Sequence, residues 1–243
     1  MKNVFCMKWG ELYGPEYVNR LYEMVKNNLR FPFQLICFTD NKEGIRKEVV
    51  CFPIPEVNIP DGLPERMWRK LTVFKKDLYG LKGEALFLDL DVVIVDNMDP
   101  FFQLEGEFRI IKDYRKKWRG TGNSSVFRFE LGRHYEIFDF FLKNFEEIRK
   151  KHRNEQEYLT SIMKEKGILS YWPERWCPSF KYDCVSKFPL AFWKKPKIPH
   201  GARIIIFHGE INPPKAIKGG WGKFYRYVRP AKWIKKYWIR EKV

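Results

Sequence analysis

Two carboxylates interrupt the most apolar stretch of the chain. Asp89 and Asp91 sit inside Ala85-Leu86-Phe87-Leu88-Asp89-Leu90-Asp91-Val92-Val93-Ile94-Val95. Strand alternation would put both on one face, two residues apart. Burying one unpaired carboxylate is costly, and a second like charge beside it raises the cost. A divalent cation relieves both penalties, and hard oxygen ligands suit Mg²⁺ or Mn²⁺, ions that also bind diphosphate oxygens. The alternative is a strand that ends at Leu88, with the aspartates opening a polar turn.

Other residues could serve the same chemistry. Trp9, Gly10 and Tyr13 follow the first apolar run, where aromatic faces can stack on a nucleobase and glycine lets backbone approach closely. A core or lid role suits the same rings. Asp40, after a second apolar run, could accept a hydrogen bond from a base or ribose, or act as a turn residue. Arg66, Arg69 and Lys70 lie at or near the start of a segment leading into the acidic strand, where a cation can neutralise phosphate or merely face solvent.

The elements that must position these residues follow from periodicity. Residues 4–7, 34–38, 49–55 and 84–95 are expected strands, and Pro15 to Leu29 and Met67 to Tyr79 expected helices. This alternation predicts an α/β fold with a mostly parallel central sheet flanked by helices. Further on, strands are expected at Phe108–Lys112, Ser125–Phe129 and Ile204–Phe207, and helices at Gly132–Lys151 and Asn154–Lys166. Ligands gather at the carboxyl ends of strands in such sheets, which is where the acidic pair is expected.

The chain has 243 residues, 44% of them hydrophobic and 31% charged, enough for one domain with a substantial core. No run is long and apolar enough for a signal peptide or a bilayer span, so a soluble or peripheral cytoplasmic protein is expected. Five cysteines without a CxxC pair fit a reducing compartment. The net charge is +16, and fifteen Lys/Arg against two Glu place +13 of it from Lys187 to Val243. Such a field attracts nucleic acid, anionic lipid or phosphorylated small molecules. Against a nucleic-acid-binding protein, no reader motif is present. A nucleotidyltransferase would need a Gly-rich phosphate loop after the first strand, and Lys8-Trp9-Gly10-Glu11 is not one.

The run LFLDLDVVIVDNMDPFF resembles the D-x-D segment of GT-A glycosyltransferases, above all the retaining group related to glycogenin and the lipopolysaccharide galactosyltransferases. CMKWGELYGPEYVNRLY, CFTD, MWRKL, NSSVFRF, WPERWCPSFKYDC and FHGEINPPKAI resemble motifs of a bacterial subfamily, in the same order, from Val4 to about Trp238. The resemblance implies a GT-A catalytic domain over residues 1–220 that binds a nucleotide-diphosphate-sugar donor and a divalent metal. It further implies retaining transfer to a glycan or lipid-linked acceptor in surface polysaccharide or lipopolysaccharide synthesis. Asp89 and Asp91 fall on the D-x-D and His208 on the metal-binding histidine. An imidazole at a strand end is also a chemically suitable third ligand for Mn²⁺.

The resemblance also implies a cation near the sugar in the Arg66–Lys70 segment and sugar-hydroxyl contacts from Asn123, Ser124 and Ser125. Glu155 and Gln156 match the family's Asp-Gln, with Glu replacing Asp. Lys215 and Lys218 are expected to hold the leaving diphosphate, although Pro213-Pro214-Lys215 departs from the Lys-Pro order of many relatives. Trp172, Pro173, Trp176, Lys181 and Asp183 are expected either as an acceptor platform or as a packed loop. Residues 221–243 form a basic, aromatic extension. Within it, Pro230 to Arg240 is expected as an amphipathic helix, with Trp233, Ile234, Tyr237 and Trp238 on one side and Lys232, Lys235, Lys236 and Arg240 on the other; it either lies on an anionic membrane or packs its tryptophans onto the catalytic domain.

Overall fold

Alternation along the strands decides which residue enters which layer. In β1 (Lys2–Lys8), Val4 and Cys6 face one core while Phe5 and Met7 face another. In β4 (Glu84–Leu88), Leu86 and Leu88 join the first core and Ala85 and Phe87 the second. A sheet buried on both faces reads as an uninterrupted apolar run, and both strands have one. The structure, a computed structural model, describes residues 1–57, 68–114, 120–220 and 227–239.

The remaining strands are β2 (Phe33–Thr39), β3 (Val50–Phe52), β5 (Val93–Ile94), β6 (Phe108–Lys112), β7 (Gly122–Glu130), β8 (Leu169–Tyr171) and β9 (Ile204–Ile205). Seven of the nine form one sheet in the order β3-β2-β1-β4-β7-β6-β8, with β7 antiparallel to both its neighbours and every other pairing parallel. β5 and β9 make a separate antiparallel pair. The fold is the expected mixed α/β one.

Helix α1 (Pro15–Asn28) covers the first face. Proline at its first position costs no hydrogen bond, and Val18, Leu21, Met24 and Val25 recur at helical spacing and are buried. The second face is covered by a 3₁₀ segment (Trp68–Phe74), α3 (Glu136–Lys143), α4 (Phe145–Lys151) and α5 (Glu155–Glu165). Short α2 (Pro100–Gln103) and α6 (Pro213–Lys218) complete the frame.

Four expectations require correction. The helix expected over Met67 to Tyr79 is a 3₁₀ segment of seven residues, with Arg66 and Met67 outside the described residues. The helix expected over Gly132–Lys151 breaks at Asn144, whose backbone leaves helical geometry. The apolar run 84–95 is not one strand. It stops at Leu88, turns through Asp89 to Val92, and resumes as β5 in the second sheet. Apolarity fixed burial on both sides of the turn and hid the turn itself.

The fourth concerns the carboxyl-terminal segment. Only α7 (Ile234–Tyr237) is helical, a single turn. Ile234 is fully buried, and Trp238 is buried against α1, its ring 3.9 Å from the Arg20 guanidinium and edge-on to Tyr17. Arg20 Nη1 also donates to the Trp238 carbonyl at 2.9 Å. The apolar side proposed for a membrane thus packs inward, and Val228, Ala231, Ile234 and Trp238 share one core with Val4 and Val18. The expected boundary at residue 220 abuts residues 221–226, which lie outside the described ones.

A candidate donor-binding cavity at the carboxyl ends of the strands

The turn after β4 delivers the acidic pair. Asp89 N donates to Ser125 O on β7 at 2.9 Å, which pins the turn against the neighbouring strand. Leu90, between the aspartates, is buried in the first core. With that side chain turned inward, both carboxylates open into a cavity of about 980 Å³ at the carboxyl ends of β1 and β4. They share this cavity through a turn rather than through strand alternation.

The rest of the lining comes from five further places in the chain. Trp9 and Tyr13 rise from the loop after β1, and Lys70 from the 3₁₀ segment. Asn123 and Ser124 come from the first turns of β7, Glu155 and Gln156 from the start of α5, and His208 from the loop after β9. Asn154 caps α5 by accepting from Glu157 N, which sets Glu155 and Gln156 on the first turn.

Polar groups in this wall are satisfied by one another. Lys70 Nζ lies 2.6 Å from Asp89 Oδ1 and 3.4 Å from Ser124 Oγ. Ser124 Oγ donates to Glu155 Oε1 at 2.7 Å, and Gln156 Oε1 accepts from Ser124 N at 3.3 Å. The Tyr13 hydroxyl donates to Asp91 Oδ2 at 2.9 Å. Burial and the adjacent Asp89 charge push the Asp91 carboxyl up to about 7, although Tyr13 and Lys70 pull the other way. Burial likewise raises the Glu155 carboxyl, with Lys70 and Ser124 opposing. For Lys70, burial favours the neutral amine, but Asp89 and Glu155 together hold it as a firm cation.

The cavity therefore sets buried Glu155 and half-buried Asp89 and Asp91 against one lysine, an excess of carboxyl groups suited to a cation. Two hard carboxylates at its floor fit Mg²⁺ or Mn²⁺. The expected three-ligand convergence is not formed: among the described residues no group of three His, Cys, Asp or Glu side chains could hold a metal ion as it stands. The reason is visible at His208. Its Nε2 meets Ser179 Oγ at 2.7 Å, and its ring lies between those of Tyr114 and Tyr182, 5.5 and 5.3 Å away.

Three expected site residues stand elsewhere. Asp40 is exposed and accepts from Gly10 N at 2.8 Å, so it braces the Trp9–Tyr13 loop instead of lining the cavity. Lys215 and Lys218, both on exposed positions of α6, lie outside the lining, and Lys215 Nζ donates to Glu210 O at 2.8 Å. Arg66 is outside the described residues. The aromatic platform is packed: Trp172 is buried against Phe101, half-buried Trp176 packs on the same ring, and Asp183 accepts from Ser179 N. Ser179 and Tyr114, which hold His208, carried no sequence signal, because their contacts come from the packing of the 179–184 turn against the strand end.

No known family model matches the sequence, and no curated protein matches it. Solved structures do. The galactosyltransferase LgtC, in complex with donor and acceptor sugar analogs, superposes with a TM-score of 0.64 at 11% identity, covering 96% of this chain and 94% of LgtC. The glycosyltransferase GlyE of Streptococcus pneumoniae gives 0.66 at 11% identity over 99% of this chain and 62% of its own. Mouse xyloside xylosyltransferase 1 gives 0.56 at 13% identity, over 86% and 97%. At these identities the likeness is one of fold, and the fold is that of the GT-A glycosyltransferases.

Proposed function

We propose that the protein is a glycosyltransferase that moves a sugar from a nucleotide-diphosphate donor to a glycan or lipid-linked acceptor. The observation that carries this reading is the placing of Asp89 and Asp91 on the floor of a cavity at the strand ends of this fold. In this reading Asp89 and Asp91 would hold a divalent metal, Mn²⁺ or Mg²⁺, with His208 lining the same cavity. Bound there, such an ion supplies positive charge to the departing diphosphate. The LgtC structure, in complex with donor and acceptor sugar analogs, supports a sugar donor and a sugar acceptor as the two substrates.

The chain's own residues do the rest. Tyr13 fixes the Asp91 carboxylate by its hydrogen bond, and the Trp9–Tyr13 loop offers the aromatic faces for the base. Lys70, held charged, stands where it can balance both Asp89 and developing phosphate charge. Ser124 is locked by Glu155 and Gln156, which leaves Asn123 and Gln156 to contact sugar hydroxyls. In retaining transfer the leaving phosphate oxygen takes the acceptor proton on the same face, and the enzyme contributes position and electrostatics. The pathway in this reading is surface polysaccharide or lipopolysaccharide synthesis, on the cytoplasmic side of the membrane. Among the described residues no helix is long and apolar enough to cross one.

A thermal-shift panel of nucleotide sugars with and without Mn²⁺ tests the reading. One donor should stabilise the protein only when metal is present. Failure of every nucleotide sugar to do so would remove it.

A further inference from the structure

Between Val185 and Pro199 the chain exposes apolar side chains that nothing in the cavity uses. Phe188 is 56% exposed, Leu190 48% and Trp193 68%, three large hydrophobic groups within six residues. Singly exposed apolar residues are ordinary, but a contiguous group marks a contact surface. The loop that presents them is anchored from beneath. Ala191 is buried, the Phe192 ring stacks on Tyr227 at 5.3 Å, and Arg229 Nη1 donates to Trp193 O at 3.1 Å. Trp233 Nε1 donates to Pro196 O at 3.1 Å, which ties α7 to the same face.

Charge around this apolar tip has one sign. Lys187, Lys194, Lys195 and Lys197 are exposed within the loop, and Lys232, Lys235 and Lys236 on and beside α7 are exposed as well. No Asp or Glu occurs from Val185 to Gly209, or from Ile211 to Arg240.

We propose that the Phe188–Trp193 loop is the membrane-docking surface of this protein, inserting its apolar tip into an anionic lipid bilayer while the surrounding lysines meet the headgroups. Tryptophan and phenylalanine settle at the level of the headgroups, and lysines are attracted to the negative surface potential. A second copy of the chain is a poor occupant, because a symmetric pairing would bring one set of lysines against the other. A nucleic acid would satisfy the lysines but leave Leu190 without a use. The loop also lies close to the cavity. Lys187 follows Tyr182 by five residues, and the Tyr182 ring is 5.3 Å from that of His208. Extended chain of that length spans at most about 17 Å. The link to a lipid-linked acceptor rests on the glycosyltransferase reading; the docking itself does not.

Co-sedimentation with phosphatidylcholine vesicles, with and without phosphatidylglycerol, tests the docking. The full chain should sediment only with the anionic vesicles. Phe188→Ser/Leu190→Ser/Trp193→Ser should weaken that binding by roughly tenfold or more, and Lys194→Glu/Lys195→Glu should abolish the preference for phosphatidylglycerol. Each variant is compared with the parent by near-ultraviolet circular dichroism. Should the triple variant fail that comparison, the Leu190→Ser/Trp193→Ser pair, both at exposed positions, replaces it. The proposal is wrong if the full chain ignores anionic vesicles, or if a folded serine variant binds them as the parent does. It is also wrong if single-stranded RNA displaces the vesicles and binds the serine variant undiminished. The thermal response to nucleotide sugars is read on the same samples. Loss of that response with vesicle binding intact removes the glycosyltransferase reading alone, and the reverse removes docking alone.

Discussion

The cavity wall and the Phe188–Trp193 loop both set charge beside apolar surface, and they solve the problem in opposite ways. In the cavity, each carboxyl is withdrawn at least partly from solvent and meets a donor at hydrogen-bonding distance: Asp89 with Lys70, Glu155 with Ser124, Asp91 with Tyr13. On the loop, lysines stand in solvent around exposed Phe188, Leu190 and Trp193, without an acidic residue in the segment. Most of the net charge of +16 therefore belongs to the carboxyl-terminal quarter of the sequence rather than to the cavity, where carboxyl groups outnumber lysine. A basic composition says nothing about the sign of a buried site, because solvated charge is cheap and buried charge is arranged pairwise.

The sharpest way to break this comparison is to remove charge from the cavity floor. Asp89→Ala and Asp91→Ala should each lower sugar transfer by roughly 10³-fold, the scale of losing one electrostatic contact to a developing charge. Both should keep the parent's far-ultraviolet circular dichroism, since the turn is held by the Asp89 N to Ser125 O bond and by buried Leu90. A variant with near-parental nucleotide release from the donor would show that the acidic pair is not the working centre.

The second effect follows from ionisation of the same pair. The Asp91 carboxyl is pushed from 3.8 up to about 7 in the folded protein, so the fold binds its proton more tightly than the unfolded chain does. The stability this confers is fully present below about pH 4 and is lost as pH rises through about 7. Its upper bound is on the order of 4 kcal/mol. Denaturation without added metal should show that decline, and Mn²⁺ should flatten it in the parent but not in Asp91→Asn. A parent profile unaffected by Mn²⁺ would leave the carboxylates to Lys70 and Tyr13 alone.

Arg128 offers a control from outside the cavity, a buried charge with a purely structural set of partners. Its guanidinium donates to the carbonyls of Phe101, Leu104 and Gly106 and lies 3.4 Å from Glu84. Arg128→Met should cost about 3 kcal/mol of stability, because several acceptors lose their donor at once. Donor affinity of the protein that remains folded should be unchanged, as read by chemical denaturation and isothermal titration.

What was legible in the sequence divides along the same line. Strands β1, β2 and β4 are short, apolar and bounded by turn residues, so their existence and the α/β class follow from pattern alone. Twelve of the expected site residues line one cavity, most of them because they flank strand ends or open a helix, positions that sequence order marks. The break at Leu88 was present only as the less favoured alternative, since an apolar turn and an apolar strand look alike when both are buried. The inward packing of Trp238 was one of two equal readings, and the choice between them depends on Arg20, 218 residues away. Among the described residues of that segment, the helical wheel separated buried Ile234 and Trp238 from exposed Lys232, Lys235 and Lys236 and left open which side meets protein. The lysines of α6 misled for a related reason: nearness in sequence to His208 is not nearness to the cavity.

That last point gives the smallest predicted effect. Lys215 and Lys218 were expected to hold diphosphate, yet both are exposed outside the lining, and Lys215 already caps the carbonyl of Glu210. If charge on α6 acts only through solvent, Lys215→Ala should change stability by no more than about 0.5 kcal/mol, as exposed substitutions do. Its effect on the KM for donor should then be about twofold and should vanish in high salt, because solvent-exposed charge is screened beyond roughly 10 Å. Lys70→Ala, by contrast, removes a cation paired to Asp89 at 2.6 Å, and its effect should persist in salt. Measuring both variants over a salt series separates long-range attraction from direct contact. A salt-insensitive, tenfold or greater rise in KM for Lys215→Ala would mean that α6 swings onto the diphosphate when donor binds, and the cavity would then recruit charge from the basic face after all.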